Sequence, residues 1–425
     1  MGETAAKRPG PAAVVRRFVS NLGPGIVTGA ADDDPSGIAT YSIAGARFGT
    51  SLLWTAWLTW PLMAAVQMTC ARVGMVTGRG LAGALRQRYP RWLLVCAASA
   101  LFVANTINVG ADLSGMADAA ETLTRIDSHV WVVLFGAGIS WAIVRFRYHQ
   151  IASILKWLAL VLFAYVLVAF RLSPEWRAVL RDALLPSRPR GAEWGMLVAI
   201  LGTTISPYLF FWQASQEVEE DRALGRRMLV RPPHLPPLLL AERRLDVALG
   251  TFVSNLVMFF VILATALTLH RHGVTNPQTS HDVAQALRPL AGELTGALYT
   301  VGIVGVGLLA IPTLAGSSAY AFAETFGWRR GLDLKLRGAR YFYGVIVLST
   351  ALGVALDFLN VNPVQALYWT AIVNGLLAPP LLAGILIFAC SRRRMRGQPI
   401  PWFDRIAVGL AVALLTVAAV AMFVV

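Results

Sequence analysis

Charge is scarce in this 425-residue chain: Asp, Glu, Lys and Arg make up 14% of it, against about 25% in an average soluble domain. Cysteine is scarcer still. Cys70, Cys96 and Cys390 are too few for a disulfide framework, and all three lie in apolar stretches. There are only six histidines, and neither a Cys-x-x-Cys nor a His-Glu-x-x-His pattern occurs. A structural zinc site or a zinc hydrolase is therefore not expected. A nucleophile–base pair, a phosphate-binding glycine loop with its lysine, and a soluble domain are missing too, so an enzyme is not expected and no cofactor is called for. What is abundant is apolar sequence, 56% of the chain, in runs of about 20 residues that are long enough to cross a bilayer. The reading is an all-α, multi-pass membrane bundle.

Eleven spans are expected, at about 20–45, 50–77, 92–120, 129–145, 151–171, 194–217, 246–270, 294–323, 339–357, 363–390 and 404–424. The net charge of +14 raises nucleic acid as a partner, but the distribution of Lys and Arg decides otherwise. With the N-terminus inside, 28 of the 37 Lys and Arg fall on the inner side. That bias obeys the positive-inside rule and predicts N-in, C-out. In a prokaryote the membrane would be the cytoplasmic one. Residues 1–19 are polar and basic and are read as a cytoplasmic segment, not a signal peptide. The Pro-rich stretch RPPHLPPLLL lies within 220–245. It is read as a cytoplasmic linker, because prolines interrupt regular helix.

Spans 1 and 6 are each interrupted by polar residues and a proline. They stand five spans apart and so run in opposite directions. Interrupted hydrophobic segments at matching places in two halves point to a secondary transporter built from inverted repeats. The first interruption is Asp32-Asp33-Asp34-Pro35-Ser36-Gly37. Each carboxylate at membrane depth costs at least roughly 2.5 kcal/mol, and Pro35 removes a backbone donor and disfavours helix at Asp34. The helix should unwind here and turn carboxylates and freed carbonyls toward a polar cavity, a setting suited to a hard cation. Asp32 and Asp33 are read either as site groups or as solvated vestibule groups. The second interruption is GTTISPY at 202–208, where Pro207 should free the carbonyls at Thr203 and Thr204 and leave the Ser206 hydroxyl as a further oxygen ligand.

The segment GPGIVTGAADDDPSGIATYSIAGARFG at 23–49 resembles the first helix of the NRAMP family of divalent-metal transporters, which reads Asp-Pro-Gly-Asn there. Span 6 resembles that family's Ala-x-x-Met-Pro-His helix. GLLAIPTLAGSSAY at 307–320 and NGLLAPPL at 374–381 resemble its later helices. The resemblance implies a LeuT-like fold: two inverted five-helix repeats at 20–171 and 194–390, broken helices 1 and 6, and an added helix at 404–425. It places the motif Asp on Asp34, the motif Asn on Gly37, the motif Ala on Thr203, the motif Met on Ser206 and the motif His on Tyr208. The soft thioether that suits transition metals is thereby lost.

The expected cargo site is all oxygen: Asp34, Asp33, the backbone at Thr203, Ser206, and the space left by Gly37. Such a site favours Mg2+ or Mn2+ as substrate. Asp32, Asp112, Asn108, Tyr208 and Gln213 are the expected vestibule or proton-path groups. In span 3 Asp112 falls on the Glu of the family's Asp-x-x-Glu pair, but Val109 falls on its Asp, so proton coupling is doubtful. Asp112 is read equally as a structural hydrogen-bond partner. The competing reading is a relative that has lost metal binding and carries an organic cation or monovalent ion, with the aromatic run Tyr208 to Trp212 beside Asp34. The partners expected are the lipid bilayer and a small cation, with no nucleic acid, and the self-contained bundle is expected to act as a monomer.

Overall fold

The computed structural model describes residues 24–146, 160–223, 235–359 and 361–424. Among these residues all regular structure is helical. The 1–19 segment, most of the 220–245 connection and the first part of the fifth expected span lie outside the described residues.

Span 1 is two helices, α1 (Pro24–Asp32) and α2 (Pro35–Phe48). They are followed by α3 (Trp54–Thr77), the one-turn α4 (Leu81–Leu85), α5 (Arg91–Thr124) and α6 (Ser128–Arg145). Then come α7 (Ala164–Arg171) and α8 (Trp176–Leu184). Span 6 is also two helices, α9 (Glu193–Thr204) and α10 (Pro207–Ala223). The second half continues with α11 (Pro237–Leu267) and, after a connection containing α12 (Ser280–Ala284) and α13 (Arg288–Ala291), α14 (Thr295–Phe326). The chain closes with α15 (Arg340–Asp357), α16 (Pro363–Ala389) and α17 (Trp402–Val424).

Eight helices among the described residues are long and apolar enough to cross a membrane. They match the expected spans 3, 4 and 6 to 11. The remaining three expected crossings are the acid-interrupted first, the 24-residue α3, and the fifth, of which only 160–171 is described. Burial sorts the helices by position. Of the most apolar window in Glu193–Ala223, 89% is buried within the protein, against 22% for Trp402–Val424. The broken span 6 therefore lies at the centre of the bundle, and α17 lies at its rim, with most of that window facing outward.

The region expected as a loop at 220–245 is helical at both ends, because α10 runs to Ala223 and α11 starts at Pro237. Pro237 occupies the first helical position, where its missing N–H costs nothing. Thus the prolines mark the start of a helix as well as the end of a linker.

Both halves of span 1 lie against α11. A Cβ on Gly25 would stand 2.7 Å from the backbone nitrogen of Val247, and one on Gly29 would stand 2.8 Å from the Cα of Gly250. The next residues in this register are Asp32 and Asp33, which both lie within bonding distance of the Ser254 hydroxyl. Positions 25, 29 and 32 of α1, with Asp33 just past its end, thus meet positions 247, 250 and 254 of α11, about one helical turn apart on each. Gly29→Val is expected to prevent this seating, because the obstacle is backbone and cannot rotate away. A lower melting temperature in detergent, by the equivalent of about 3 kcal/mol, would show it; an unchanged one would mean that the two helices can separate without cost.

Candidate cation site at the two helix breaks

The first break is built by its own sequence. Asp34 has an extended backbone (φ −71°, ψ 169°) and caps α2, accepting from the Gly37 N–H through Oδ1 at 2.6 Å, with Pro35 at the first helical position. Asp is among the best N-caps, and Pro is preorganised for the position after it. The cap also sets a negative group against the positive end of the α2 dipole. Asp34 is 3% exposed, so this carboxylate sits inside the protein and not at a membrane-edge loop.

Its second oxygen, Oδ2, accepts from the Asn108 amide at 3.3 Å, and the same amide nitrogen donates to Asp112 Oδ2 at 3.0 Å. Asn374 of α16 donates to Asn108 Oδ1 at 3.2 Å. Asp34, Asn108, Asp112 and Asn374 thus form one buried polar chain across α2, α5 and α16. Asn105, although on the same face of α5, points elsewhere: its amide donates to the Leu314 carbonyl and to Ser317 and Ser318 of α14.

At the second break, Thr204 ends α9, Ile205 departs from helical geometry (φ −116°, ψ 55°) and Pro207 starts α10. The Ser206 hydroxyl donates to the carbonyls of Gly202 at 2.7 Å and Thr203 at 2.5 Å. The Thr203 carbonyl was expected to be free, because Pro207 cannot donate to it. Instead Ser206 supplies the missing donor from within the break. The hydroxyl keeps its lone pairs, so Ser206 remains an oxygen acceptor.

Two contacts bring the breaks together. The Tyr208 hydroxyl donates to the Ala31 carbonyl at 3.0 Å, and the Thr203 hydroxyl donates to the Tyr41 hydroxyl at 3.2 Å. Tyr208 therefore caps the C-terminal end of α1 and is a tie between the two breaks. Gly37 borders the same space: a Cβ there would lie 3.4 Å from both Asp34 Oδ1 and the Asp32 carbonyl. The Tyr41 ring stands at the same 3.4 Å, so the place beside the carboxylate is bounded on three sides.

Asp32, an expected vestibule or proton-path group, and Asp33, an expected ligand, are both buried, and the Ser254 hydroxyl of α11 lies within bonding distance of both, at 2.7 and 3.1 Å. Gln213 is buried as well. It accepts from Thr28 of α1 at 2.6 Å and donates to Glu217 at 2.7 Å. Glu217 is 1% exposed and pairs with Arg243 at 2.9 Å. Arg243 also pairs with Glu220 and, at 2.8 Å, with Asp246, whose Oδ2 accepts from the Gly25 N–H at 2.9 Å. A buried ionic cluster therefore ties α10 and α11 to the first turn of α1.

Sequence reasoning missed Ser254, Thr28, Arg243, Asp246 and the role of Asn374 beside Asn108. Trp212 was assigned to an aromatic group near Asp34. It is buried against α14, with its ring 6.2 Å from that of Tyr320. Among the described residues no three His, Cys, Asp or Glu side chains converge as a ready metal cage. The chemistry on offer is one well-placed carboxylate, a second one amide away, and hydroxyl and carbonyl oxygens.

Comparison with known proteins fits this arrangement. The sequence profile of the family described as natural resistance-associated macrophage protein-like matches residues 25–425. A divalent metal cation transporter MntH from Verminephrobacter eiseniae is 26% identical over 386 residues, 88% of this chain and 82% of the relative. One from Deinococcus radiodurans is 26% identical over 326 residues, 74% of this chain and 71% of the relative. Among solved structures, a manganese transporter of Eremococcus coleocola superposes with a TM-score of 0.79 at 17% identity, covering 99% of this chain and 89% of that one. Mhp1, a nucleobase-cation-symport-1 family transporter, superposes with a TM-score of 0.57 at 13% identity, covering 95% of this chain and 90% of that one. The fold is LeuT-like. Proteins of the matched family are transporters, not enzymes, and metal is their cargo and not a cofactor. With its profile matched from Gly25 to the last residue and its helices broken where a LeuT-like transporter breaks them, the chain belongs to the NRAMP family.

Proposed function

We propose that this protein carries divalent metal cations across a membrane by alternating access, with the ion held between the two helix breaks. The observation that carries the reading is the meeting of the breaks through Tyr208 and Ala31 and through Thr203 and Tyr41, with the buried Asp34 carboxylate beside them. The ligands we assign are Asp34, Asp33, Ser206 and the backbone around Thr203, with Gly37 giving room. All are hard oxygens, and the position of the family's thioether is a serine. We therefore assign Mg2+ or Mn2+ as the cargo. The relatives named above are divalent metal cation transporters, and nothing in them supports an organic or monovalent cargo.

Transport is proposed to run without a coupled proton, because Val109 cannot titrate and the Asp112 carboxylate is engaged with Asn108. The excess of Lys and Arg on one side supports N-in, C-out in a cytoplasmic membrane. The repeats are assigned to 20–171 and 194–390, the added helix to 404–425, and the working unit to a monomer.

Uptake into proteoliposomes with Mg2+, Mn2+, Ca2+ and Cd2+, read together with an internal pH dye, tests all of this. Mg2+ and Mn2+ should enter without acidification, and Cd2+ should enter poorly. Ser206→Met should raise Cd2+ uptake relative to Mg2+ by about tenfold, since a soft ligand is restored. Entry of none of the four ions would end the reading, and acidification that tracks uptake would end its uncoupled form.

A further inference from the structure

We infer that α8 is an interfacial helix, lying in the membrane surface on the side opposite the N-terminus, and that it gathers anionic phospholipids there. Nothing about the cation site enters into it.

The sequence marks the place first. Of the nine Lys and Arg left on the outer side, five are Arg171, Arg177, Arg181, Arg188 and Arg190, all in one connection between two spans. The same stretch holds two acids, Glu175 and Asp182. The positive-inside rule works against such a cluster on the outer side, so the cluster calls for a role of its own.

Within it, α8 has three faces. Val179 and Ala183 are buried, in one apolar cluster with Leu53 and Ala56, and the helix lies against α3. Trp176, Leu180 and Leu184, at a spacing of four, form a stripe beside that seat and are 36%, 55% and 67% exposed. Arg177 and Arg181 each follow a member of the stripe by one residue. That step carries them about 100° round the helix, past the stripe and away from the seat. Both are exposed, Arg181 over 68% of its side chain although it pairs with Asp182 at 3.1 Å. The direction of the stripe is fixed by fastenings elsewhere on the segment. Asp182 accepts from Thr50 at 2.6 Å, and Ser187, just beyond the helix, donates to the Ser51 carbonyl at 2.9 Å.

An exposed apolar stripe flanked by arginines can meet a protein or a bilayer, and its surroundings select the bilayer. The Trp176 ring lies 5.1 Å from that of Phe170, at the end of α7. Phe170 and Leu167 are 58% and 57% exposed on the flank of the fifth span, where the neighbour is lipid. The stripe therefore continues a lipid-facing surface past the end of a span. In that position the tryptophan and leucines enter the acyl boundary, and the arginines extend to the level of the phosphates. A zwitterionic surface would satisfy the stripe alone. The arginines add a preference for net negative charge, about fivefold in local enrichment for each one near the surface.

The probe is lipid brominated near the head of its acyl chains, which quenches a tryptophan that it touches. The protein is placed in phosphatidylcholine vesicles containing a minor fraction of brominated phosphatidylglycerol or brominated phosphatidylcholine. The fluorescence lost in Trp176→Phe isolates the signal of Trp176. Both lipids should quench it, and half-quenching should need about fivefold less phosphatidylglycerol. Arg177→Gln with Arg181→Gln should bring the two lipids level. Leu180→Ser with Leu184→Ser should weaken quenching by both. All four side chains are exposed, and melting curves in phosphatidylcholine check that the variants fold. The wild-type comparison needs neither double variant. A Trp176 that neither lipid quenches would overturn the inference, whether a second copy or a soluble protein covers the stripe. Equal quenching by the two lipids in the wild type, or a preference that survives the arginine changes, would overturn it as well.

Discussion

Asp34→Asn is expected to abolish binding of Mg2+ and Mn2+ while leaving the fold intact. Asparagine keeps the cap, because its one oxygen can still accept from the Gly37 N–H and it caps as well as aspartate does. Its NH2 group then stands where Oδ2 accepted from Asn108 and cannot accept, so that 3.3 Å contact goes along with the charge. The charge is the larger loss. At about 4 Å and an effective dielectric constant near 20, the attraction is roughly 4 kcal/mol per unit charge, on the order of a thousandfold in affinity. Asp34→Ala would confuse the result, because it also removes the cap at a cost of about 1 kcal/mol. Calorimetric titration of wild type and Asp34→Asn, with melting curves recorded without metal, checks the expectation. Binding lost, with a melting temperature lowered by the equivalent of no more than about 1–2 kcal/mol for the Asn108 contact, is the expected pattern. Tight binding that survives in Asp34→Asn would move the ion away from this carboxylate.

The second large effect belongs to Arg243, in the ionic cluster at the first turn of α1. Arg243 is 7% exposed and pairs with Glu217, Glu220 and Asp246. Arg243→Met keeps much of the side-chain volume but leaves three acids without that cation. Removing one partner of a buried ion pair costs about 3–5 kcal/mol, because the remaining charge is uncompensated. A marked fall in melting temperature is expected. Adding Glu217→Gln to Arg243→Met should recover part of it, since one of the stranded charges is then gone. If the single variant melts like the wild type, the cluster contributes nothing to stability. If the double variant melts lower still, Glu217 is held by something other than its charge.

How much of this was legible in the chain depends on the range of the interaction. The first break could be read directly, because Asp34, Pro35 and Gly37 act on their own backbone within four residues. The helical bundle followed from apolar length, and eight of the expected crossings meet that measure among the described residues. The hydroxyl of Ser206 closing on the Thr203 carbonyl is also local, and the habit of serine to bond back into its own helix could have signalled it. The contacts that join distant segments left no such trace. Arg243 was counted among the charges that set membrane orientation, and nothing beside it in sequence shows that it would be buried against Glu217, 26 residues upstream. Ser254 is one small polar residue in a long apolar helix, a pattern shared by many that only satisfy their own backbone. Asn374 bonds between helices, yet also leaves an oxygen unmatched, and this depends on which way Asn108 is turned, which is decided by Asp34 at another helix and by Asp112 on its own.

The way α1 rests on α11 has a mechanical consequence. Where Gly25 and Gly29 meet Val247 and Gly250, backbone lies directly on backbone, and the Asp246 carboxylate reaches Gly25 as the fastening at one end. Such a bearing has few teeth. Once the polar fastenings at its two ends are exchanged for water or for cargo, the short helix can tilt away as a rigid lever without any rotamer having to unlock, and it can return to the same seat.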